Sequence, residues 1–268
     1  MVRISVLMGI YNCADTLNEA LDSLYQQTYK DFKVIMCDDG STDSTYAVAS
    51  EYAKRYNNII LLKNDSNQGL NYTLNKCLEY ADTEFIARMD GDDISMPDRF
   101  KVEIDFLDSN PDYAVVSTPC TYFDQNGIFR KAYGRGHVLK KHFVRRSPVS
   151  HAPCMARTDA FKSVGGYRVD KRLLRVEDYD LWFRLFAAGY NLYQMPESKY
   201  LMRDDRNAVS RRSWMNRRNE FYVKWKGYRM IGLPWYYNIY AFEPIIIHLL
   251  PDFIYRYLHR RKKTHSKK

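Results

Sequence analysis

Short, β-branched apolar runs alternate with stretches of helical periodicity over the first 110 or so residues. Four runs predict strands, at residues 4–10, 32–37, 59–62 and 84–89. The stretches between them predict helices at residues 16–24, 44–56 and 70–80, the first opened by a capping box of Thr16 and Glu19. Strands that alternate with helices build a parallel sheet covered by helices. The chain is therefore predicted to have an α/β fold with a mostly parallel central sheet.

The pattern is less regular beyond the fourth strand. Ser95 and Pro97 predict the cap and first turn of a helix. Residues 113–123 predict a strand followed by a turn at 124–127, and residues 178–188 predict a helix that ends at Gly189. We expect a nucleotide-binding half at residues 1–110, an acceptor half at 111–202 and a helical, basic extension at 203–268.

Composition excludes several classes of protein. The 268 residues are 46% hydrophobic and 27% charged, as in ordinary globular proteins. No run reaches the roughly 18 apolar residues of a membrane span, and the first residues lack the features of a signal peptide. We therefore expect a cytoplasmic protein. The five cysteines are dispersed without a CxxC pair, so structural zinc is not expected.

Two acidic clusters follow predicted strands. In open α/β sheets, ligands bind at the carboxyl ends of the strands. Asp90, Asp92 and Asp93 lie within four residues and repel one another unless a cation is present, and Mg²⁺ and Mn²⁺ prefer such oxygen ligands together with substrate phosphates. An acidic first turn of a helix is the alternative, but it accounts poorly for Asp90.

The other acidic positions have stronger structural alternatives. Asp39 lies in Asp38-Asp39-Gly40-Ser41-Thr42-Asp43, where a strand-end carboxylate suits a base N–H or a ribose hydroxyl, although a turn explains the segment equally well. Glu177 and Asp178 open an apolar helix. A general base must be a group of this kind, but helix capping explains the spacing better.

Taken together, five segments resemble the family-two glycosyltransferases, which are inverting enzymes with the Rossmann-like GT-A fold. The resemblance covers about residues 4–202. The segments are Ser5-Val6-Leu7-Met8-Gly9-Ile10-Tyr11-Asn12, Asp38 to Asp43, Asn67-Gln68-Gly69-Leu70, Asp90-Gly91-Asp92-Asp93 and Val176-Glu177-Asp178-Tyr179-Asp180-Leu181-Trp182. Each segment alone is common, and their order at strand ends makes the match specific.

The resemblance implies a role for each residue. The expected nucleotide-sugar site consists of Ile10, Tyr11, Asn12, Asp39, Asn67, Gly69, Asp90, Gly91, Asp93 and Arg203. Asp92 would bind the Mn²⁺ or Mg²⁺ that bridges the donor diphosphate. Asp178 would be the catalytic base and Glu177 its support. The implied reaction moves a hexosyl or N-acetylhexosaminyl group from a nucleoside diphosphate, by default UDP, to a glycan or lipid-linked acceptor in surface polysaccharide synthesis.

Several departures and alternatives limit the resemblance. Gly9-Ile10 stands where relatives carry a proline, no Gln-x-x-Arg-Trp motif is present, and Arg203 stands where relatives often carry Arg or His. His151 lies where relatives place a polar residue near the acceptor, although a structural histidine explains it as well. The missing GxGxxG excludes a dinucleotide oxidoreductase. A catalytically inactive sugar-nucleotide-binding or scaffold protein of the same fold is the remaining alternative.

The end of the chain predicts association with a membrane surface. Aromatic residues at 235–237 and aliphatic residues at 245–247 and 249–250 precede a basic tail containing Arg256, Arg260, Arg261, Lys262, Lys263, Lys267 and Lys268. Aromatic rings suit the lipid headgroup level, and basic residues favour an anionic leaflet. The alternative is that the apolar residues pack on the catalytic domain. Nucleic acid is not expected as a partner because no binding motif accompanies the charge.

Overall fold

The computed structural model describes residues 2–204 and 213–249. The strands are β1 (Ile4–Ile10), β2 (Phe32–Asp38), β3 (Ile59–Lys63), β4 (Phe85–Arg88), β5 (Ile94–Ser95), β6 (Tyr113–Ser117), β7 (Cys120–Asp124), β8 (Gly127–Lys131), β9 (Gly136–His137), β10 (Cys154–Arg157), β11 (Asn191–Gln194) and β12 (Tyr200–Arg203). The α-helices are α1 (Ala14–Tyr25), α2 (Thr45–Arg55), α3 (Leu70–Glu79), α4 (Arg99–Ser109), α5 (Thr158–Ser163), α6 (Glu177–Ala187), α7 (Trp214–Met230) and α8 (Glu243–Leu249). Short 3₁₀ helices span Lys140–Phe143, Lys171–Leu173 and Trp235–Phe242.

The strands form one large and one small sheet. The large sheet has the order β3-β2-β1-β4-β10-β6-β11-β9, in which β3, β2, β1 and β4 run parallel and β10 is antiparallel to both of its neighbours. The small sheet has the order β5-β12-β7-β8. The predicted α/β fold with a largely parallel central sheet is confirmed. Its parallel strands β1, β2 and β4 end at one common edge.

Helices cover both faces of the large sheet, and strand alternation assigns side chains to each face. In β1, Val6 and Met8 pack with α1 and α4 on one face, whereas Leu7 packs with α3 and α6 on the other. Gly9 lies under α3, where an added Cβ would be 3.1 Å from the Leu70 side chain. The predicted strands match the structure closely because both faces of this sheet are buried.

The predicted helix starts differ from the structure at two places. Helix α1 begins at Ala14, so Thr16 lies inside its first turn and donates a hydrogen bond to Gly91 O at 3.0 Å. The predicted capping box at Thr16 was therefore wrong. Helix α4 begins at Arg99 with Asp98 as its cap residue, because the preceding residues pair with β12 as β5. Pairing with a distant strand overrides the local cap signal there.

The strand predicted at 113–123 is two strands in different sheets. Residues Thr118 and Pro119 separate β6, in the large sheet, from β7, in the small one. Proline lacks the N–H that would continue the ladder. The predicted turn at 124–127 is confirmed as the hairpin between β7 and β8.

The described part of the predicted extension packs on the preceding domain. Val223 and Tyr228 of α7 are buried in the same core as α6, and the Asn219 amide donates to the carbonyls of Lys171 and Leu174. The 202/203 boundary therefore does not separate two cores. No helix within residues 2–204 and 213–249 is long and apolar enough to cross a membrane. The basic tail from Pro251 lies outside the described residues.

Candidate active site

Two adjoining cavities open at the common carboxyl edge of β1, β2 and β4. The larger cavity has a volume of about 660 Å³ and the smaller one about 420 Å³. Asp90, Asp92 and Arg203 line both. Asp92 and Arg203, the residues expected at the donor diphosphate, therefore form the wall between two compartments together with Asp90.

The smaller cavity is built on the turn that follows β1. Asn12 has a φ of 46°, its side-chain Oδ1 accepts a hydrogen bond from Thr42 N at 2.9 Å, and its own N–H donates to Ser41 Oγ at 3.1 Å. Tyr11 lines the cavity with 45% of its surface exposed. The turn thus presents a free aromatic face, on which a nucleotide base can stack. Ile10, by contrast, has a buried side chain and lines neither cavity, so its contact with a nucleotide stays a prediction.

Asp39 fixes the loop beside this cavity. Its Oδ1 accepts hydrogen bonds from Asn64 Nδ2 and Gln68 N, both at 2.8 Å, and its Oδ2 accepts one from Gly69 N at 2.9 Å. Only 4% of Asp39 is exposed. Asp39, Asn67 and Gly69 line neither cavity. Their contact with a nucleotide stays a prediction, while Asp39 and Gly69 shape the loop directly.

Asp90 is held from two sides. The buried guanidinium of Arg88 donates to Asp90 Oδ1 at 2.5 Å and to Met89 O at 2.8 Å, and the buried Tyr200 hydroxyl accepts the Asp90 N–H at 3.2 Å. Neither Arg88 nor Tyr200 was predicted from the sequence. The available signal was an arginine inside an otherwise apolar strand, which requires a buried acidic partner.

Asp92 is part of the wall between the cavities. Asp92 is exposed at the mouth of the cavities, and partial desolvation by the surrounding protein, followed by the charge of Asp90, raises its pKa. Gly91 allows this position, because a Cβ there would lie 2.8 Å from Cys13 Sγ and 3.2 Å from Ile10 Cγ2. The close approach of the acidic loop to α1 therefore depends on glycine.

Asp93 and Arg203 connect β12 of the small sheet to the loop of residues 90–93 that follows β4. Asp93 is only 2% exposed, and its Oδ1 accepts a hydrogen bond from Arg203 N at 2.8 Å. The Arg203 side chain donates to Asp92 O at 2.9 Å and pairs with Glu19. Burial, followed by the charges of Asp90 and Asp92, raises the pKa of Asp93. Asp93 is thus a wall residue that positions Arg203.

The carboxylates at this wall suit a divalent cation that the protein and a substrate phosphate bind together. Among the described residues, no three His, Cys, Asp or Glu side chains converge into a metal cage. Mg²⁺ sites often use only one or two carboxylates, with substrate phosphates and water completing the shell. Asp92 suits this arrangement because it lines both cavities and no ion pair holds its carboxylate within residues 2–204 and 213–249.

Glu177 and Asp178 line the larger cavity from the first turn of α6. The cap residue of α6 is Val176, which supplies no side-chain bond. Asp178 Oδ2 instead accepts a hydrogen bond from Ser147 Oγ at 2.9 Å. Burial raises the pKa of Asp178, and the Ser147 hydroxyl opposes that shift. Burial and the charge of Asp178 raise the pKa of Glu177 to about 7.

His151 also lines the larger cavity. Its Nε2 lies 2.8 Å from the Tyr167 hydroxyl, and burial, followed by the charge of Arg88, lowers its pKa well below the usual value. The turn of Gly165-Gly166-Tyr167 therefore helps to hold His151. Gly166 is required because a Cβ would lie 2.6 Å from the Asn75 side chain, which in turn binds the main chain of Tyr167.

Comparison with known proteins agrees with this geometry. Residues 5–165 match the family model "Glycosyl transferase family 2". The chain is 36% identical to the "Putative glycosyltransferase EpsE" of Bacillus subtilis (strain 168), over 99% of this chain and 96% of that protein. It is 29% identical to the Escherichia coli "UDP-Gal:alpha-D-GlcNAc-diphosphoundecaprenol beta-1,3-galactosyltransferase", over 97% of this chain and 96% of that one.

Solved structures show the same fold at low sequence identity. S. aureus TarS 1–349 in complex with UDP-GlcNAc superposes with a TM-score of 0.68 at 17% identity, covering 90% of this chain and 73% of that one. The mannosyltransferase PcManGT from Pyrobaculum calidifontis, in complex with GDP-Man and Mn²⁺, has a TM-score of 0.62 at 17% identity, covering 99% and 81%. With the family model spanning more than half of its residues, the chain belongs to glycosyl transferase family 2.

Proposed function

We propose that the chain transfers a sugar from a UDP-sugar to an acceptor hydroxyl with inversion at the anomeric carbon. The observation that carries the proposal is the shared wall of Asp90, Asp92 and Arg203, with Asp178 in the larger cavity. A donor diphosphate at that wall would place its nucleoside in the smaller cavity and its sugar in the larger one. Asp92 and Asp178 both line the cavity, which favours an enzyme over an inactive scaffold.

The nucleoside would be recognised by the turn after β1. The exposed Tyr11 ring offers a stacking surface, and Asn12 fixes the turn. Asp39, Asn67 and Gly69 would complete the nucleotide side through the loop that Asp39 holds. The UDP donor is supported by the UDP-GlcNAc bound to TarS and by the UDP-Gal in the name of the E. coli relative.

Asp92 would hold a divalent cation, Mn²⁺ or Mg²⁺, together with the two phosphates of the donor. Such an ion, when bound, would offset the charge that develops on the leaving diphosphate. Arg203 lies at the same wall and would add a guanidinium to the phosphate oxygens. The Mn²⁺ in the PcManGT complex supports the choice of ion.

Asp178 would act as the base. As the acceptor oxygen forms its bond to the anomeric carbon, the hydroxyl proton passes to the Asp178 carboxylate. The bond between that carbon and the diphosphate oxygen breaks, and its electron pair leaves with UDP. The Ser147 hydrogen bond holds the Asp178 carboxylate in place and favours its ionised form. Attack from the face opposite the leaving group inverts the configuration.

Replacing Asp178 with Asn tests the assignment. We expect UDP-sugar affinity to change little and transfer to fall about 10²-fold or more, the cost of losing a general base. Asp159→Asn is the matched control, because Asp159 is also the second residue of a helix but is exposed and outside both cavities. Retained transfer in Asp178→Asn, with a stability loss equal to that of Asp159→Asn, would leave Asp178 only a structural role at its helix terminus.

We also infer that the acceptor is presented at an anionic membrane surface on the cytoplasmic side. Trp235 and Leu249 are 82% and 72% exposed, and Ile239 and Ile246 are exposed between them, while Ala241 anchors the segment in the core. Ala241 thus packs on the catalytic domain, while the exposed side chains of the same segment are available to a membrane surface. A lipid-linked acceptor appears in the name of the E. coli relative.

Flotation with anionic liposomes tests this inference. The full chain should float at low salt and less at high salt. A chain that ends at Pro251 and a Trp235→Ser, Ile239→Ser variant should both float less. Flotation that ignores lipid charge and all of these changes would contradict membrane association.

A further inference from the structure

Residues 125–158 contain no acidic residue. The same segment carries eight basic ones, Arg130, Lys131, Arg135, Lys140, Lys141, Arg145, Arg146 and Arg157. Within a chain that has 32 Asp and Glu residues, such a stretch concentrates positive charge wherever it folds. In the structure the segment lines the larger cavity through residues that flank β9, such as Tyr133 and Arg135, through His142 of the following 3₁₀ helix, and through residues 146–152.

Two arginines of this segment and one from outside it, Arg175, bring positive charge to the cavity itself. Arg135, Arg146 and Arg175 all line it, and all three side chains are exposed to solvent. Within the described part of the chain, none of their guanidinium groups makes an ion pair or a hydrogen bond. By contrast, Arg88 and Arg203 in the same cavity are both paired with carboxylates. The unpaired guanidinium groups are therefore free to bind a ligand.

The environment of these arginines favours the binding of an anion. Burial and the nearby charge of Arg135 lower the pKa of Arg146, so the two cations destabilise each other. Arg175 has a φ of 69°, a backbone conformation that costs about 1–2 kcal/mol in a non-glycine residue, and it lies two residues before Glu177. Strain of this kind is often found at ligand sites. An oxyanion between the guanidinium groups would relieve the repulsion and take charge-assisted hydrogen bonds.

We propose that Arg135, Arg146 and Arg175 bind a phosphate or diphosphate group of the acceptor, so that the acceptor substrate is anionic. This inference rests on the proposed function, because it assigns the larger cavity to the acceptor. The donor diphosphate is placed by the carboxylate wall and its cation, whereas the arginines lie in the part of the cavity that the smaller compartment does not share. The bound group is either the diphosphate of a lipid-linked sugar or a phosphodiester of a charged glycan.

Direct binding tests the site without requiring turnover. With UDP and Mn²⁺ saturating, calorimetry would compare three acceptor analogues with the same N-acetylglucosamine, linked to a short alkyl chain by a diphosphate, a phosphodiester or a neutral glycosidic bond. The wild-type chain should bind an anionic analogue at least tenfold more tightly than the neutral one. Preference for the diphosphate indicates the lipid-linked source, and preference for the phosphodiester indicates the glycan.

Variants assign the binding to the arginines. Arg135→Gln combined with Arg146→Gln should remove the preference for the anionic analogue and leave UDP affinity unchanged. Arg145→Gln is the matched control: it removes one charge next in sequence, but its guanidinium lies over the Tyr240 ring at 5.4 Å and outside the cavity. It should retain the preference.

Three results would overturn the proposal: equal binding of all analogues to the wild-type chain, an equal loss in Arg145→Gln, or a parallel loss of UDP affinity in the double variant. The last would assign the arginines to the donor. Arginine-dependent binding without transfer from any UDP-sugar would instead retain the anion site and contradict the proposed function.

Discussion

The two cavities differ in how their charges are satisfied. In the loop beside the smaller one, Asp39 accepts three hydrogen bonds from the protein, and Asp90, on the wall that both cavities share, is paired with the buried Arg88. In the larger one, Arg146 and Arg175 have no hydrogen-bonded partner within residues 2–204 and 213–249, and Glu177 has a raised pKa. On the proposed assignment, the donor side would be preorganised by the protein, whereas the acceptor side would be completed by its ligand.

Preorganisation reduces the free energy that must be spent on ordering groups when a ligand binds. Donor recognition should therefore depend on the internal contacts that hold the loops. Acceptor recognition should depend on the charges of the substrate itself. Three variants, in order of decreasing expected effect, test this difference.

Asp92→Asn should have the largest effect. Removing the carboxylate while keeping its shape should lower transfer about 10³-fold, since a bound cation supplies several kcal/mol of charge stabilisation. UDP-sugar affinity should no longer rise when Mn²⁺ is added, which titration calorimetry measures. Asp65→Asn, an exposed carboxylate outside both cavities, is the control. Mn²⁺-dependent affinity that survives in Asp92→Asn would remove Asp92 from the cation site.

Gly40→Ala should have an intermediate effect, on stability and donor binding together. Gly40 has a φ of 71°, and a Cβ there would lie 2.7 Å from the main-chain carbon of Ser66. Unfolding by denaturant should show a loss of about 3 kcal/mol from strain and overpacking. Gly127→Ala also has a positive φ but meets no atom within 4 Å, so it should lose only about 1 kcal/mol. Equal losses would mean that the donor loop is not held by this backbone contact.

Ser147→Ala should have the smallest effect and a distinct pH signature. The Ser147 hydroxyl favours ionised Asp178, so its removal should raise the pKa of Asp178 further. Transfer requires the ionised form, so the rate of the variant should fall by up to about tenfold on the acidic side of the profile and match the wild-type rate at higher pH. Ser163→Ala, which lies outside the cavities, is the control. A loss that is uniform across pH would indicate misplacement of Asp178 rather than a changed pKa.

The sequence was most informative where local pattern and tertiary structure agree. The strand at 4–10 was predicted with its observed limits, because buried parallel strands have continuous apolar runs. The start of α4 was missed because Ile94 and Ser95 pair with β12, which follows about a hundred residues later in the chain. Likewise, the break at Pro119 depends on the separation of two sheets, which a strand propensity does not encode.

The candidate site divides in the same way. Acidic residues at strand ends pointed to the wall that the two cavities share, because parallel strands bring their carboxyl ends to one edge. Ser147 was not predicted to support Asp178, since thirty-one residues and an irregular segment separate them. The unpaired arginines have the sequence pattern of a solvated charged segment. Only their position in the larger cavity distinguishes them.

The contact between α6 and α7 limits how this enzyme can be recombined with its relatives. Gly227 of α7 lies so close to the Phe183 ring that an added Cβ would be 2.3 Å from it. Phe183 belongs to α6, the helix that carries Asp178. The packing of α7 against α6 therefore also affects the position of the Asp178 carboxylate. A chimera that exchanges the C-terminal segment to change acceptor choice must transfer the glycine and the aromatic ring as a pair. A segment with any larger residue at 227 would displace the proposed base, Asp178, together with the substrate preference that the exchange was meant to alter.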